Sequence, residues 1–202
     1  MNQRAKCEIL HKAYDRMLLT SFPPICGPES KVLIMGTLPG AASLAAGEYY
    51  AHPRNVFWEL MGEFFNAGRN LPYAVRTRRL ARAGVAVWDV VGRGRRRGSL
   101  DADIELESIV PNDLAGLLKR CPRIGVVFFN GQPAARLFYR MVWPELRIKI
   151  ERPLELKVLP STSPANASWS HERKRAAWRA VPAAIAANRD LPKVTPQSRG
   201  SM

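Results

Sequence analysis

At 202 residues, 47% of them hydrophobic, the chain has the make-up of a single globular domain, and overall disorder is excluded. Lys and Arg number 31 against 17 acidic residues, a formal charge of +14 and a pI near 10.4, which favours a polyanionic partner, nucleic acid ahead of a membrane surface. The scattered cysteines Cys7, Cys26 and Cys121 fit neither a disulfide framework nor a zinc site, leave a four-thiolate iron–sulfur cluster one ligand short, and point to a reducing, cytoplasmic setting. No signal peptide is visible, and no apolar run reaches the roughly 18–20 residues that a membrane span needs.

Residues 1–20 read as a loose basic helix, broken by the prolines of "SFPPICGPES". "KVLIM", 31–35, is a wholly apolar strand suited to a sheet covered on both faces. From Met35 to Trp58 runs "MGTLPGAASLAAGEYYAHPRNVFW", too irregular for a core element and too rich in tyrosine, histidine and asparagine for a linker: a binding loop. "NVFWELMGEFFNA", 55–67, sets Phe57, Leu60, Met61 and Phe64 on one helical face. A basic helix around 73–83 leads through Gly84 to a second strand, "VAVWDVV", 85–91, and then to the loop "GRGRRRGSLDADIE". "PNDLAGLLKRC" opens a helix, with Pro111 and Asn112 where caps are expected. "RIGVVFFN", 123–130, is a third strand, "GQPAARLFYRMV" the helix leaving it, and "LELKVLP", 154–160, a fourth strand. "STSPANAS" then precedes the last helix. The expected organisation is an N-terminal extension over 1–30, one domain over 31–188 and a tail over 189–202.

Four alternations of strand and helix argue for an α/β fold with a four-stranded, mainly parallel sheet covered by helices on both faces. Ligands of such sheets bind beyond the carboxyl ends of the strands. Strand one leads there into the opening loop, strand two into Asp89 and the arginines, strand three into Asn130 and Gly131, and strand four into "STSPANAS".

Five of these stretches together resemble the uracil-DNA glycosylase superfamily: "GTLPG" at 36–40, "YYAHPRNVFW" at 49–58, "GVAVWDV" at 84–90 with "GSLD" at 98–101, "FFNGQPAARLF" at 128–138 and "LPSTSPANAS" at 159–168. Within it the chain is most similar to the hypoxanthine-DNA (deoxyinosine) glycosylase branch. The resemblance implies a three-layer α/β/α sandwich that swings a damaged nucleotide out of DNA and cleaves its N-glycosidic bond.

Tyr50 occupies the position where mismatch-type relatives place an aromatic plate for the base; the competing reading is that it packs the loop. Gly36 and Leu38 belong to the turn beside the base. Leu38 stands where several relatives have a polar residue that holds the attacking water, and Leu159 where other branches have a histidine. Attention therefore moves to Asn55, the residue that the "HPxN" motif of the deoxyinosine branch implies as catalytic. An amide holds a water in line with the anomeric carbon but is no strong base, and Asn55 could instead cap the helix beside it. His52 is the reserve candidate. Asp89 aligns roughly with an amide that pairs with the base edge in uracil-specific relatives. A carboxylate there accepts the lactam N–H of uracil or hypoxanthine; the alternative is an Asp that caps or pairs with Arg93 or Arg95. Asn130 either adds a hydrogen bond to the base or fixes its own loop.

Ser161, Thr162, Ser163 and Asn166 offer a cradle for phosphates, with Arg95, Arg173 and Lys174 along the DNA backbone. Since these loops contain no lysine, no amine is placed to form a Schiff base, and a monofunctional enzyme is expected. The expected partner is DNA bearing a deaminated base, met by a monomer with no metal, cofactor or membrane, cytoplasmic and nucleoid-associated through its DNA. A non-catalytic sensor of lesions or abasic sites is the rival reading, and a nucleoside hydrolase a weaker third.

Overall fold

The computed structural model describes residues 18–98 and 100–187. The expected basic helix lies mostly, and the expected tail wholly, outside those residues. A four-stranded sheet organises the molecule: β2 (Val32–Gly36), β3 (Val85–Asp89), β6 (Val126–Asn130) and β7 (Glu155–Leu159), in the order β3-β2-β6-β7 with every neighbouring pair parallel. The first three of these strands are buried at every residue, because their Val, Ile, Leu, Met and Phe side chains face covered ground on both sides of the sheet. Only β7, at the edge, is partly exposed.

The helices are α1 (Ala41–Ala46), α2 (Phe57–Phe65), α3 (Tyr73–Arg82), α4 (Leu114–Arg120), α5 (Gln132–Met141), α6 (Trp143–Lys149), α7 (His171–Trp178) and α8 (Ala180–Ala187). Phe57, Leu60 and Met61 of α2 are fully buried, as the helical spacing requires, and with Trp58, Trp178, Phe128 and Phe138 they fill the core. Asp113 caps α4, its carboxylate accepting from the Gly116 N–H at 2.9 Å, so the cap sits one residue later than Pro111 and Asn112 suggest.

Three differences from the sequence reading bear on the site. Leu19–Thr20 is a strand, β1, rather than the end of a helix. The second expected strand is two: after Asp89 the chain turns into β4 (Val91–Gly94), which pairs antiparallel with β1 and with β5 (Val110–Pro111) in a small second sheet. And residues 19–30 are part of the domain: Leu19 and Ile25 are buried, and Ile25 bridges Val87 along the outer edge of β3.

Candidate active site

The parallel register lines up the strand ends. Gly36 stands beside Asp89, and Asn130 beside Leu159, on adjacent strands of one sheet. Three of the loops foreseen from the sequence thus start at neighbouring points on one edge, and the fourth, after β7, is stitched to them through Asn130. The Asn130 Oδ1 accepts the Thr162 N–H and its Nδ2 donates to the Thr162 Oγ1, both at 2.8 Å. Of the two roles open to Asn130, fixing the loop is the one the geometry displays. Thr162 is fully buried with its hydroxyl spent on this contact, so it is corrected from a backbone-contact candidate to a loop anchor.

A Cβ placed on Gly36 would lie 2.4 Å from the Asp89 Oδ1 and 3.0 Å from the Tyr50 hydroxyl. Only glycine lets these two polar atoms close over the end of β2. Asp89 is 3% exposed, and its Oδ2 accepts a 3.0 Å hydrogen bond from the Ser21 hydroxyl. Burial, helped by the neighbouring Asp101 carboxylate, pushes its pKa from 3.8 up to about 7, against the Ser21 hydrogen bond and the Arg96 charge. The alternative reading, a pairing with Arg93 or Arg95, is not what the geometry shows: both arginines are exposed, and the cation that acts on Asp89 is Arg96. Arg96 is 1% exposed and donates to the carbonyls of Leu38 (3.4 Å), Pro39 (2.7 Å) and Gly98 (3.1 Å), pinning the turn after β2.

Asp101, from the same loop, accepts a 2.5 Å hydrogen bond from the Thr37 hydroxyl, and its pKa too is raised by burial. A second carboxylate is thereby fastened to the turn that holds Leu38. Leu38 itself is packed into the core, and its carbonyl accepts from Arg96, which corrects its place among the base contacts. Leu159 is likewise buried.

Tyr50 adopts a left-handed backbone conformation, φ 54°, costing about 1 kcal/mol for a residue with a Cβ. Its ring stacks on Phe57, with centroids 4.0 Å apart and planes inclined by 26°. The hydroxyl is fully buried without a hydrogen-bond partner among the described residues, although the Asn130 amide is near it. Asn55, half-buried, accepts the Phe57 N–H on its Oδ1 at 3.0 Å, which secures the first turn of α2; its Nδ2 has no such partner among the described residues. His52 turns its Nδ1 to the Arg54 N–H at 3.1 Å and its carbonyl to the Asn55 N–H, so it shapes the turn. A cavity of about 400 Å³ opens beside this stretch, lined by Arg54, Asn55, Glu59 and Arg69 among others.

Ser161 and Ser163 are half-buried and organise their own loop, each accepting a backbone N–H at 3.2 Å, while Asn166 spans it by donating to the Ser161 carbonyl at 3.1 Å. Arg95 and Arg173 are exposed, and the Arg173 guanidinium lies 4.7 Å from the centroid of the Trp169 ring. Lys174 is corrected from a backbone contact to a tie within the protein: 6% exposed, it sets its Nζ 3.4 Å from the Ser163 carbonyl. Among the described residues no three His, Cys, Asp or Glu side chains gather as metal ligands, and no helix is long and apolar enough to cross a membrane.

The model of one family, the uracil DNA glycosylase superfamily, matches residues 23–183. The chain belongs to the uracil DNA glycosylase superfamily. It is thus a DNA glycosylase by family, and its relatives agree. A protein of Methanosarcina acetivorans named hypoxanthine DNA glycosylase is 34% identical over 166 residues, 82% of this chain and 98% of that one. A protein of the same name from Methanosarcina barkeri is 34% identical over 154 residues, 76% of this chain and 91% of that one. A solution NMR structure from Methanosarcina acetivorans, provisionally described as a uracil DNA glycosylase, superposes with a TM-score of 0.68 at 31% identity, covering 84% of this chain and 99% of that chain.

Sequence reasoning missed four groups that contact the candidate residues or their turns: Ser21 and Arg96 beside Asp89, Asp101 on Thr37, and Arg69 on the loop 50–55. Asp101 carried a signal, since it closes the quoted "GSLD". Arg96 carried none, being the middle member of an arginine run in which every residue looks alike.

Proposed function

We propose that the chain removes a deaminated base, hypoxanthine or uracil, from DNA as a monofunctional glycosylase and leaves an abasic site. The observation that carries this reading is the bare backbone at Gly36, over which the Asp89 carboxyl oxygen and the Tyr50 hydroxyl converge. It brings a hydrogen-bonding carboxyl and an aromatic side chain together at the end of one central strand.

A base inside a duplex is out of reach, so the nucleotide must swing out. Laid against Tyr50, which Phe57 backs, it recovers stacking worth about 1–3 kcal/mol. The ionised Asp89 accepts the lactam N–H that uracil and hypoxanthine share, and Ser21 fixes the carboxylate's orientation. Adenine presents an acceptor at that point and is repelled. Asn55 serves two tasks with the two ends of one amide: its oxygen holds the start of α2, and its Nδ2 donates to a water aimed at the anomeric carbon. As the C1′–N bond breaks, its electron pair leaves with the base, the water oxygen bonds to C1′, and the water's surplus proton passes to solvent or to the departing base. Ser161, Ser163, Asn166, Arg95 and Arg173 follow the DNA backbone, so affinity falls steeply with salt.

Duplexes containing deoxyinosine or deoxyuridine, incubated with the protein and then treated with alkali, test the reading. It requires alkali-labile sites at the lesion and no protein trapped on DNA by borohydride. The rival, a lesion sensor, draws on Asn55 already being engaged by Phe57 and on the apolar Leu38 and Leu159. Tight lesion binding without strand breaks would leave only that rival.

A further inference from the structure

Arg69 lies in the turn between α2 and α3, outside every stretch that carries the family resemblance. Its guanidinium donates to the backbone carbonyls of four residues of a single loop. Nη2 reaches Tyr50 at 3.3 Å, His52 at 2.8 Å and Asn55 at 2.7 Å, and Nη1 reaches Ala51 at 3.5 Å. The two short contacts have the length of charge-assisted hydrogen bonds. Tyr50 and Asn55, the proposed plate and the proposed water-holding amide, thus rest their carbonyls on one side chain. Tyr50 also holds the left-handed φ of 54°, a conformation that persists only where the surroundings over-determine it.

We infer that Arg69 is a positioning residue, one whose guanidinium keeps the Tyr50 ring and the Asn55 amide in fixed relation to each other across the loop 50–55. The inference rests on the glycosylase reading above. Lysine is a poor substitute: its ammonium ends one bond short of the Nη2 on which three of the carbonyls converge, and it spreads its three donors tetrahedrally rather than in the guanidinium plane.

The foot of the loop is anchored without Arg69. The Tyr49 hydroxyl donates to the Phe22 carbonyl at 2.9 Å, the Tyr49 N–H to the Tyr73 hydroxyl at 3.1 Å, and the Trp58 indole to the Tyr49 carbonyl at 2.7 Å. An Arg69→Ala protein therefore keeps its core, while the rim of the loop loses its common tie. Because Arg69 is exposed and lines the cavity of about 400 Å³ beside Asn55, its removal leaves a site that a small planar cation can enter from solvent.

The test is single-turnover excision from deoxyinosine and deoxyuridine duplexes by wild type, Arg69→Ala and Arg69→Lys, with guanidinium chloride titrated at low millimolar concentration and thermal melting recorded alongside. The folded Arg69→Ala variant should be slower by at least about tenfold, since misplacement by about 1 Å costs up to about 10²-fold. Arg69→Lys should stay near the Ala rate. Guanidinium should restore Arg69→Ala along a saturating curve and leave wild type unchanged, a response that a merely structural role would not give. A folded Arg69→Ala protein with the wild-type rate, or one slowed but indifferent to guanidinium, overturns the inference. If Arg69→Ala does not fold, Arg69→Lys decides, and full activity in it is equally fatal. A wild type that cuts neither duplex sinks the glycosylase reading, and this inference falls with it.

Discussion

Replacing Asp89 by Asn probes the pocket through its energetics, independently of any substrate. In the folded protein burial moves the carboxyl from 3.8 to about 7. At 1.36 kcal/mol per pKa unit, ionising it there costs about 4 kcal/mol more than in the unfolded chain. The sign follows from proton linkage. Between pH 3.8 and 7 the folded state holds a proton that the unfolded state has released, so this residue's contribution to stability declines as pH rises and is exhausted above 7. Asparagine has the shape of the neutral acid, can still accept the Ser21 hydroxyl, and does not titrate over this range. The stability of Asp89→Asn relative to wild type should therefore grow by about 3 kcal/mol between pH 5 and pH 9, two pH units of the linkage lying below the folded pKa. For a domain of this size that is a widening of the gap in melting temperature by about 6–12 °C. Calorimetry of both proteins at the two pH values measures the difference of differences, in which every other titrating group cancels to first order. A gap that does not change with pH would mean that Asp89 ionises without penalty and does not lie buried over Gly36.

Asn55→Ala should lower turnover by at least about 100-fold, the scale for losing a preorganised polar group, and cost about 1 kcal/mol of stability through the lost Phe57 contact. Asn55→Asp, an equally good cap without the amide donor, should recover the stability and not the rate; recovery of both in a turnover assay would reduce Asn55 to a cap. Tyr50→Ala should weaken binding to lesion-bearing duplex more than to undamaged duplex, as read by titration at fixed salt; equal losses would deny it the plate. Arg96→Met should destabilise the protein by about 3 kcal/mol or more, because it strips the turn carbonyls and leaves Asp89 and Asp101 without their cation; chemical denaturation showing a loss under 1 kcal/mol would contradict that.

Much of the frame was legible because burial on both faces leaves an unmistakable trace. The runs "VLIM", "VAVW" and "VVFF" have no polar face, and all three became parallel strands buried at every residue. Strand ends were legible for the same reason: the first polar or glycine residue after such a run, Gly36, Asp89 or Asn130, marks where the chain leaves the core. What side chains do at those ends was not legible. Asp89 finds Ser21 68 residues away, and Thr37 finds Asp101 64 residues away, pairings that no local spacing announces. Thr162 and Lys174 sit in a loop and a helix that suit a phosphate contact, yet both turn inward, because Asn130 and the Ser163 carbonyl need partners of their own.

On the glycosylase reading, a protein of formal charge +14 that sets a buried carboxyl, Asp89, beside a half-buried one, Asp101, separates two electrostatic tasks. The general excess of arginine and lysine draws in the polyanionic backbone and is screened by salt. Asp89 sits where water is thin and screening weak, so on the same reading it acts on the single base that enters. That division gives salt and pH distinct signatures: raising salt should weaken capture of any duplex, damaged or intact, while raising pH through about 7 should sharpen the choice of base, since the ionised Asp89 accepts a lactam N–H and the neutral acid can also donate to adenine. Excision of deoxyinosine in competition with deoxyadenosine, followed across pH at constant ionic strength, separates the two, and a selectivity that tracks salt but ignores pH would place base choice elsewhere than at Asp89.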